Sequence, residues 1–336
     1  MMDQIISQDI DNIIGNVKAD LFEEKKVLVT GAAGFIGSWL CDVLIRFGAN
    51  VTALDDLSTG RTQNIEHLDK NSKFKFVKSD VCRFESNEKF DIILNMAGHA
   101  SPDEYQAHPI ETLQTSAVGT FMMAELARKS DATLLFASTS EVYGDTEVIP
   151  TPESYWGNVN PIGIRSCYDE GKRFAEALLM AYSKQYGLDV RVPRIFNSYG
   201  PRLREDGMYG RAMSRFIFQA LNNQTITVFG NGKQTRSFCY ITDNVTGLLL
   251  LTANSNAKGE VVNVGNTQEV TILDLATKIK ENTKCKSTIE FYPLPNDDPK
   301  RRCPDTNKLE KLVGWKPNVP FDDGLKRTIE WFSQKK

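Results

Sequence analysis

The types and the spacing of Tyr168 and Lys172 are suited to catalysis. They stand four residues apart in a stretch, 167 to 186, whose pattern predicts a helix, so both project from one face. An ammonium group beside a phenol stabilises the phenolate and lowers the tyrosine pKa from its free value of about 10. Such a tyrosine can accept a proton from a hydroxyl group. By itself, however, this spacing more often marks a packed tyrosine and a solvated lysine.

A glycine-rich turn near the N-terminus predicts a dinucleotide site. The apolar run 26 to 30 leads into Gly31-Ala32-Ala33-Gly34-Phe35-Ile36-Gly37, which opens a predicted helix. Glycines let the backbone approach a diphosphate, and the free N–H groups at a helix start meet its charge. Asp55 ends the second predicted strand, where a carboxylate accepts hydrogen bonds from a ribose 2′-hydroxyl and repels a 2′-phosphate. This favours NAD over NADP, although Arg61 is of the type that accommodates the phosphate, and Asp80 is placed to contact the adenine.

Hydroxyl groups precede the tyrosine and lysine. The apolar run 133 to 138 predicts a buried strand, and its end reads Ser138-Thr139-Ser140-Glu141. Hydroxyls at this place can share the proton that leaves a substrate. Because they occur in a chain that also carries a dinucleotide turn, they favour the catalytic interpretation of Tyr168 and Lys172.

The elements that must position these residues alternate along the chain from Lys25 onward. Predicted strands lie at 26–30, 51–55, 74–78, 91–96, 133–138 and 190–196, and predicted helices include 38–47, 109–129 and 167–186. Strands that are apolar on both faces and separated by helices predict an α/β fold with a doubly wound parallel sheet. Beyond Phe196 the pattern predicts a smaller α/β domain with a helix at 211–222, strands at 225–229, 236–241 and 260–264, and a last helix at 321–335. An amphipathic helix over 4 to 22 precedes the sheet, and its acidic polar face predicts packing rather than membrane binding.

The composition is that of an ordinary globular protein. With 25% charged residues and a net charge of −3, it gives no reason to expect nucleic acid or a membrane surface as a partner. The six cysteines form no CxxC pair, as is typical of free thiols in a reducing compartment, and the three histidines form no metal-ligand cluster. No apolar run approaches the roughly 20 residues of a membrane span. We therefore expect a cytoplasmic protein without a metal site.

Taken together, the glycine turn, the hydroxyl-rich strand end and the tyrosine–lysine pair resemble the extended short-chain dehydrogenase/reductase family. Within that family the chain is similar to the UDP-glucuronate decarboxylases from about residue 25 to its C-terminus. The most discriminating segments are Thr139-Ser140-Glu141 and Cys167-Tyr168-Asp169-Glu170-Gly171-Lys172-Arg173. Further similar segments are Tyr155-Trp156-Gly157, Asn160-Pro161-Ile162-Gly163, and Asp297-Asp298-Pro299 through Arg302 to Pro304-Asp305.

This resemblance implies an NAD-dependent decarboxylation of UDP-glucuronate to UDP-xylose. Oxidation at C4 of the sugar gives a ketone β to the C5 carboxylate, and such an acid loses carbon dioxide because the remaining electrons are delocalised as an enolate. Protonation at C5 and return of the hydride to C4 complete the reaction and regenerate NAD. The implied base is Tyr168, with Lys172 as its electrostatic partner and Thr139 as a hydroxyl that bonds the sugar. Ser140 and Glu141 would adjoin the reacting carbons.

The resemblance also implies the ligand contacts and the assembly. The implied cofactor contacts are Gly31, Gly34, Phe35, Ile36, Gly37, Asp55, Asp80, Val81 and Ala97. The implied substrate contacts are Tyr105, Asn197 near the sugar phosphate, Phe229 near the base, and Arg236 and Arg302 toward the diphosphate. Residues 1–196, with 237–266 returning to them, would form the NAD-binding Rossmann domain, and residues 197–336 would mainly bind the sugar nucleotide. Helices 109–129 and 167–186 would pair with a second copy in a homodimer.

A few positions depart from the family pattern. His99 stands where the family usually has proline, either as a hydrogen-bonded structural histidine or as a proton donor near the ring. Ser116 stands where asparagine is usual, which puts the local water network in doubt. Arg215 replaces a residue expected to face the nucleotide, and an extra Met208-Tyr209 segment precedes it, so the identity of the nucleotide base stays open.

Other activities of the same family stay open. A sugar-nucleotide 4,6-dehydratase begins with the same oxidation but typically carries Thr-Asp-Glu, whose aspartic acid can protonate a leaving hydroxyl, where this chain has Ser140. A 4-epimerase needs only removal and return of a hydride, and a triplet ending in Glu141 is not usual for it. A non-catalytic sensor of NAD is disfavoured because Tyr168 and Lys172 are both present.

Overall fold

The computed structural model describes residues 3–204, 211–295 and 297–335, so the Met208-Tyr209 segment lies outside the described residues. Its strands are β1 (Lys26–Thr30), β2 (Asn50–Asp55), β3 (Phe74–Lys78), β4 (Ile92–Asn95), β5 (Thr133–Phe136), β6 (Ser138–Thr139), β7 (Val190–Ile195), β8 (Ser198–Tyr199), β9 (Ile226–Phe229), β10 (Thr235–Ser237), β11 (Cys239–Tyr240), β12 (Glu260–Val264), β13 (Glu269–Thr271), β14 (Ile289–Tyr292) and β15 (Arg301–Arg302).

Its α-helices are α1 (Gln4–Asn16), α2 (Phe35–Arg46), α3 (Pro102–Ala107), α4 (Pro109–Gln114), α5 (Thr120–Ser130), α6 (Ser166–Tyr186), α7 (Ala212–Leu221), α8 (Ile241–Ala253), α9 (Ile272–Thr283), α10 (Asn307–Val313) and α11 (Phe321–Gln334). A π-helical turn, Thr115–Gly119, joins α4 to α5.

The central sheet is parallel and is covered by helices on both faces. Its strand order is β12-β7-β5-β4-β1-β2-β3, and β6 pairs with the end of β7. Successive side chains of a strand point to opposite faces, and β1 shows the result. Val27 and Val29 pack in the cluster that contains α1, α2 and α8, whereas Leu28 packs in the cluster with α5 and α6. The predicted α/β fold with a doubly wound parallel sheet is confirmed.

Two further sheets bring distant segments to one edge of the central sheet. β10 pairs with β13 and, in parallel, with β15, which sets Arg236 opposite Arg302. β11 pairs with β8, directly after β7. From the same half of the chain, β12 returns to the central sheet and pairs with β7 along its length. The surroundings of Asn197, which follows β7, and of Arg236 on β10 are therefore built from segments that lie far apart in sequence.

The N-terminal helix packs on the rest of the protein, as its periodicity predicts. It ends at Asn16 rather than near residue 22, and its apolar face is buried at Ile6, Ile10 and Ile13. Asp9, one of the acidic residues of the predicted polar face, is instead buried. Its carboxylate accepts a hydrogen bond of 2.6 Å from the Tyr240 hydroxyl and pairs with Arg327 at 2.8 Å. A buried carboxylate requires such partners, and they lie far away in sequence.

Other predicted elements are divided by the tertiary structure. The predicted helix 109–129 comprises α4, the π-helical turn and α5, because apolar spacing does not distinguish an inserted residue from a regular turn. The predicted strand 236–241 is β10, β11 and the start of α8, since Phe238 stands where the chain changes pairing partners from β13 to β8. Among the described residues, no helix has the length and apolarity to cross a membrane, and no group of metal-binding side chains occurs.

Candidate active site

A cavity of about 700 Å³ lies at the carboxyl ends of the central strands. It extends from the glycine turn and Asp55, past Tyr168 and Lys172, to Phe229 and Arg236. Every residue that the sequence analysis named for the cofactor, the chemistry or the substrate lines this cavity. Ser116 does not line it. That residue is buried in the π-helical turn, against Gly171 of α6.

The glycine turn is shaped by close backbone contacts. Gly31 has a φ of +62°, and a Cβ atom there would come within 2.9 Å of the Ala97 backbone. A Cβ atom at Gly37 would overlap the carbonyl oxygen of Gly31. Only glycine meets both conditions, and α2 then begins at Phe35 with its free N–H groups at the cavity. The turn therefore fits an approaching diphosphate.

Asp55 is held in place by backbone donors. Its carboxylate accepts hydrogen bonds of 2.9 Å from the Ala33 N–H and 2.8 Å from the Leu57 N–H. Burial raises its pKa, and these two donors oppose that shift. The carboxylate lies in the cavity wall beside the glycine turn, where an acceptor fits the hydroxyls of a ribose. The residues at this end of the cavity thus fit a dinucleotide.

Tyr168 and Lys172 occupy one face of α6, as their spacing predicts. The Lys172 ammonium donates a hydrogen bond of 2.8 Å to the Ala137 carbonyl and lies 5.9 Å from the centre of the Tyr168 ring. Burial lowers the pKa of Lys172 to about 8, and Glu176 opposes this shift. The side chain of Thr139 forms a hydrogen bond with the Tyr168 side chain.

In the protein alone, the pKa of Tyr168 shifts in the direction opposite to the predicted lowering. Burial raises the pKa of Tyr168, although the bond to Thr139 and the charges of Arg211 and Arg165 act in the opposite direction. In the protein alone, burial is the largest effect on this pKa, and the Lys172 ammonium is directed at the Ala137 carbonyl. Spacing along a helix places the two side chains but does not report how deeply the sheet buries them.

Glu141 lies between two guanidinium groups. Arg165 and Arg302 both donate to its carboxylate, and all three side chains line the cavity beside Tyr168. Burial lowers the pKa of Arg302 to about 10, and its Nε atom is buried with no hydrogen-bond partner among the described residues. Arg302, which the resemblance directs toward the diphosphate, thus contacts the strand-end carboxylate in the structure.

Sequence reasoning did not select Arg165. It lies 4.0 Å from Asp169, and its guanidinium lies 5.8 Å from the centre of the Tyr105 ring. The Tyr105 ring stacks on the Tyr168 ring at 5.2 Å with an angle of 9° between the planes. Its position three residues before Tyr168, one helical turn away on the same face, is the signal that identifies it in retrospect.

The far end of the cavity holds the residues expected at the nucleotide. The Arg236 guanidinium meets both oxygens of Asp298 at 3.1 Å. The Arg215 guanidinium lies 4.8 Å from the centre of the Phe229 ring, and burial lowers the pKa of Arg215 to about 10. The side-chain oxygen of Asn197 is buried with no hydrogen-bond partner in the described part of the chain. An aromatic face, cations and an unused acceptor are suited to a nucleotide.

Comparison with known proteins agrees with this arrangement. The model of the GDP-mannose 4,6 dehydratase family matches residues 28–328. UDP-glucuronic acid decarboxylase 1 of Danio rerio is 48% identical over 313 residues, which are 93% of this chain and 74% of that protein.

Solved structures share the fold over nearly the whole chain. An epimerase of Methanothermobacter thermautotrophicus superimposes with a TM-score of 0.87 at 27% identity, covering 99% of this chain and 96% of that one. A mutant UDP-glucuronic acid 4-epimerase of Bacillus cereus, in complex with UDP-4-deoxy-4-fluoro-glucuronic acid and NAD, gives a TM-score of 0.84 at 28% identity, covering 93% and 100%. The chain belongs to the extended short-chain dehydrogenase/reductase family, together with the UDP-glucuronic acid decarboxylases.

Proposed function

We propose that the chain converts UDP-glucuronate to UDP-xylose and carbon dioxide through a 4-keto intermediate, with NAD as a cofactor that is regenerated in each turnover. The observation that carries this proposal is the Glu141 carboxylate held by Arg165 and Arg302 beside the Tyr168 phenol. A second carboxylate, Asp169, lies 4.0 Å from Arg165, but burial raises its pKa to about 7. The two guanidinium groups therefore offset the carboxylates around them, which suits a sugar that carries a carboxylate of its own. The name of the Danio rerio relative supports the same reaction.

NAD would lie along the cavity from Asp55 to Tyr168. The residues proposed to hold it are Gly31, Gly34, Phe35, Ile36, Gly37, Asp55, Asp80, Val81 and Ala97. When bound, it supplies an acceptor for the C4 hydride and returns that hydride to the ring. The close contacts at Gly31 and Gly37 and the fixed Asp55 carboxylate support this placement. The Bacillus cereus neighbour was solved with NAD.

Tyr168 is the proposed base for the C4 hydroxyl. Thr139 shares a hydrogen bond with it and with the sugar, and the Lys172 ammonium stabilises the phenolate. Because burial raises the pKa of Tyr168, the proton transfer depends on these partners and on the cation that the nicotinamide ring provides. Lys172 keeps its orientation through the Ala137 carbonyl.

Ser140 and Glu141 are proposed to face the carbons that react after oxidation. The C5 carboxylate becomes part of a β-keto acid, so its carbon leaves as carbon dioxide and the electrons remain on an enolate. Glu141 orients a water or favours the departure of the carboxylate, and the hydrogen bonds from Arg165 and Arg302 hold it in place. This revises the place of Arg302 from the diphosphate to the sugar.

The nucleotide is proposed to occupy the far end of the cavity. Asn197 would contact the sugar phosphate, Phe229 the base, and Arg236 the diphosphate, while Tyr105 would contact the sugar. We propose a division in which residues 1–196 with 237–266 hold NAD and residues 197–336 mainly hold the sugar nucleotide. The pairing of β12 with β7 supports the return of the second segment to the sheet.

We also propose that the chain forms a homodimer and that it resides in the cytoplasm, which is a reducing compartment. Ile110, Val118 and Phe121 expose apolar side chains on one face of α4, the π-helical turn and α5, and Phe174 does so on the adjacent α6. Such a face is suited to a second copy of the chain. All the cysteines are free thiols, which supports the cytoplasm.

One assay tests the reaction. The protein is incubated with UDP-glucuronate and NAD, and carbon dioxide and the mass of the nucleotide product are followed. We expect release of carbon dioxide and the mass of UDP-xylose. An unchanged mass with altered ring stereochemistry would indicate a 4-epimerase, and loss of water would indicate a dehydratase. No reaction with several uronate nucleotides would refute the decarboxylase.

A further inference from the structure

His99 lies in the cavity between the two ends of the proposed dinucleotide site. Only 9% of the residue is exposed. Its Nε2 atom lies 3.5 Å from the Ser58 hydroxyl, on the loop that follows Asp55. Its neighbour Gly98 faces the reacting end, because a Cβ atom there would lie 3.5 Å from the Lys172 ammonium. His99 is therefore placed between the Asp55 carboxylate and the catalytic lysine, beside the path of a dinucleotide.

Both hydroxyls that contact the imidazole have already used their single hydrogen. The Thr112 hydroxyl lies 3.2 Å from Nδ1 and donates a hydrogen bond of 2.7 Å to the His108 carbonyl. The Ser58 hydroxyl donates a hydrogen bond of 2.7 Å to the Asp56 carboxylate. A hydroxyl has one hydrogen, so each oxygen can only accept from the ring. Both ring nitrogens thus face acceptors.

This arrangement suits the imidazolium, the one form of the ring with two N–H donors. In the neutral ring, one nitrogen lone pair would face an oxygen lone pair. Burial opposes protonation and lowers the pKa of His99, while the charges of Asp56, Glu104 and Glu111 raise it and His108 lowers it. The Lys172 ammonium, on the side of Gly98, also opposes a second cation. An added negative charge at Nε2 would favour the protonated ring.

We propose that His99 is a cofactor-binding residue, which as an imidazolium donates its Nε2–H to the diphosphate of the bound dinucleotide, so that binding takes up a proton. The inference rests on the proposed binding of NAD. The distance of 3.5 Å to Ser58 is at the long limit of a hydrogen bond, which leaves the Nε2 donor available to a closer and charged acceptor. The Asp55 carboxylate remains the proposed acceptor for the ribose hydroxyls.

The sign of the effect follows from linkage. A diphosphate stabilises the imidazolium and raises the pKa of His99 above its value in the free protein. Protons are therefore taken up only at pH values between the pKa of His99 in the free protein and its pKa with NAD bound. NAD affinity falls as the pH rises across this interval and is constant above it. The affinity changes by about tenfold for each pH unit by which binding raises the pKa.

Isothermal titration of the full chain with NAD tests the proposal. Heats are measured between about pH 6 and 8 in buffers of different ionisation enthalpy, which gives the number of protons taken up. We expect uptake in the wild type, none in His99→Gln, and undiminished uptake in His108→Gln, a matched control for the exposed neighbouring histidine. Uptake that persists in His99→Gln, or NAD binding without uptake by the wild type, would overturn the proposal. If NAD does not bind at all, the proposed function itself fails.

A titration with UDP alone identifies the source of the anion. Uptake with UDP but not with NAD would assign the anion to the nucleotide of the substrate and overturn the cofactor contact. A direct measurement covers the case in which His99→Gln does not fold. The NMR signal of the His99 ring in the wild type should shift to a higher titration midpoint when NAD is added. An unchanged midpoint would contradict the proposal.

Discussion

Burial and charge compete at Tyr168, and in the protein alone burial is the larger effect. The phenol is surrounded by the Tyr105 ring, Thr139 and α6 itself, and its pKa is raised despite the nearby cations. The same burial acts in the opposite direction on Lys172, whose pKa it lowers to about 8. Burial therefore moves the two pKa values apart, because it disfavours the charged form of each group, the phenolate of Tyr168 and the ammonium of Lys172.

Removal of the phenol hydroxyl should separate binding from chemistry. Tyr168→Phe keeps the ring that stacks on Tyr105, so we expect unchanged NAD affinity and a fall in kcat of at least about 100-fold. Tyr182→Phe, on the same helix, is the control, because its hydroxyl bonds Glu125 away from the cavity. A Tyr168→Phe enzyme with normal turnover would refute the assigned base.

The pH dependence should reflect Lys172. Its pKa lies well below the usual 10.5, at about 8, so the stabilising ammonium is lost as the pH rises through this value. We expect kcat/KM to fall above about pH 8 in the wild type. Lys172→Arg keeps its charge at alkaline pH, so in this variant the fall in kcat/KM should begin at a higher pH. If kcat/KM of Lys172→Arg falls at the same pH as that of the wild type, a group other than Lys172 causes the fall.

At the scale of elements, the catalytic helix α6 packs closely on an irregular one. The π-helical turn Thr115–Gly119 places Ser116 against Gly171, which lies between the catalytic tyrosine and lysine. A Cβ atom at Gly171 would come within 3.1 Å of the Ser116 Cβ atom. This contact sets the distance between α6 and the helix behind it, and so the depth at which Tyr168 and Lys172 enter the cavity.

Two glycine substitutions test this contact. Gly171→Ala should lower the free energy of unfolding by about 1–3 kcal/mol, since the packed helices must move apart, and it should also reduce kcat. Gly15→Ala in α1 has open space around the new atom, so it should raise stability by about 0.5–1 kcal/mol without affecting activity. Urea denaturation and steady-state assays measure both effects. A Gly171→Ala protein as stable as Gly15→Ala would show that the helices tolerate the extra atom.

For the whole molecule, the exposed apolar face of α4, α5 and α6 is the feature that the single chain does not explain. Phe121 is 46% exposed and Phe174 is 52% exposed, and Ile110 of α4 is exposed as well. None of the side chains of this face lines the cavity. Pairing of two copies there would bury it and would brace α6 from its outer side.

A single charge on this face tests the dimer. Phe121→Asp would bury an unpaired carboxylate in the proposed interface. By analytical ultracentrifugation at micromolar concentration, we expect the wild type to be a dimer and this variant to be a monomer. Phe291→Asp is the control, because Phe291 is similarly exposed, at 54%, on β14 and outside the proposed interface. A wild-type monomer, or an equal loss of dimer in both variants, would contradict the assignment.

The local pattern of the sequence was sufficient for the parallel sheet, the glycine turn, the strand end Ser138-Thr139 and the Tyr168–Lys172 spacing. Each of these depends on neighbours within a turn of helix or a few residues of strand. The resemblance to a family added Asn197, Phe229, Arg236 and Arg302, which local spacing would not have selected.

Tertiary structure alone decided which charges meet and how deeply they are buried. It joined Glu141 to Arg165 and Arg302, raised rather than lowered the pKa of Tyr168, and buried Asp9 against Arg327. The partner of a charged side chain depends on strands and loops that are up to hundreds of residues apart in sequence. The burial of a group depends on every layer packed around it. Neither the partner of a charged side chain nor its burial is encoded in the spacing of nearby residues.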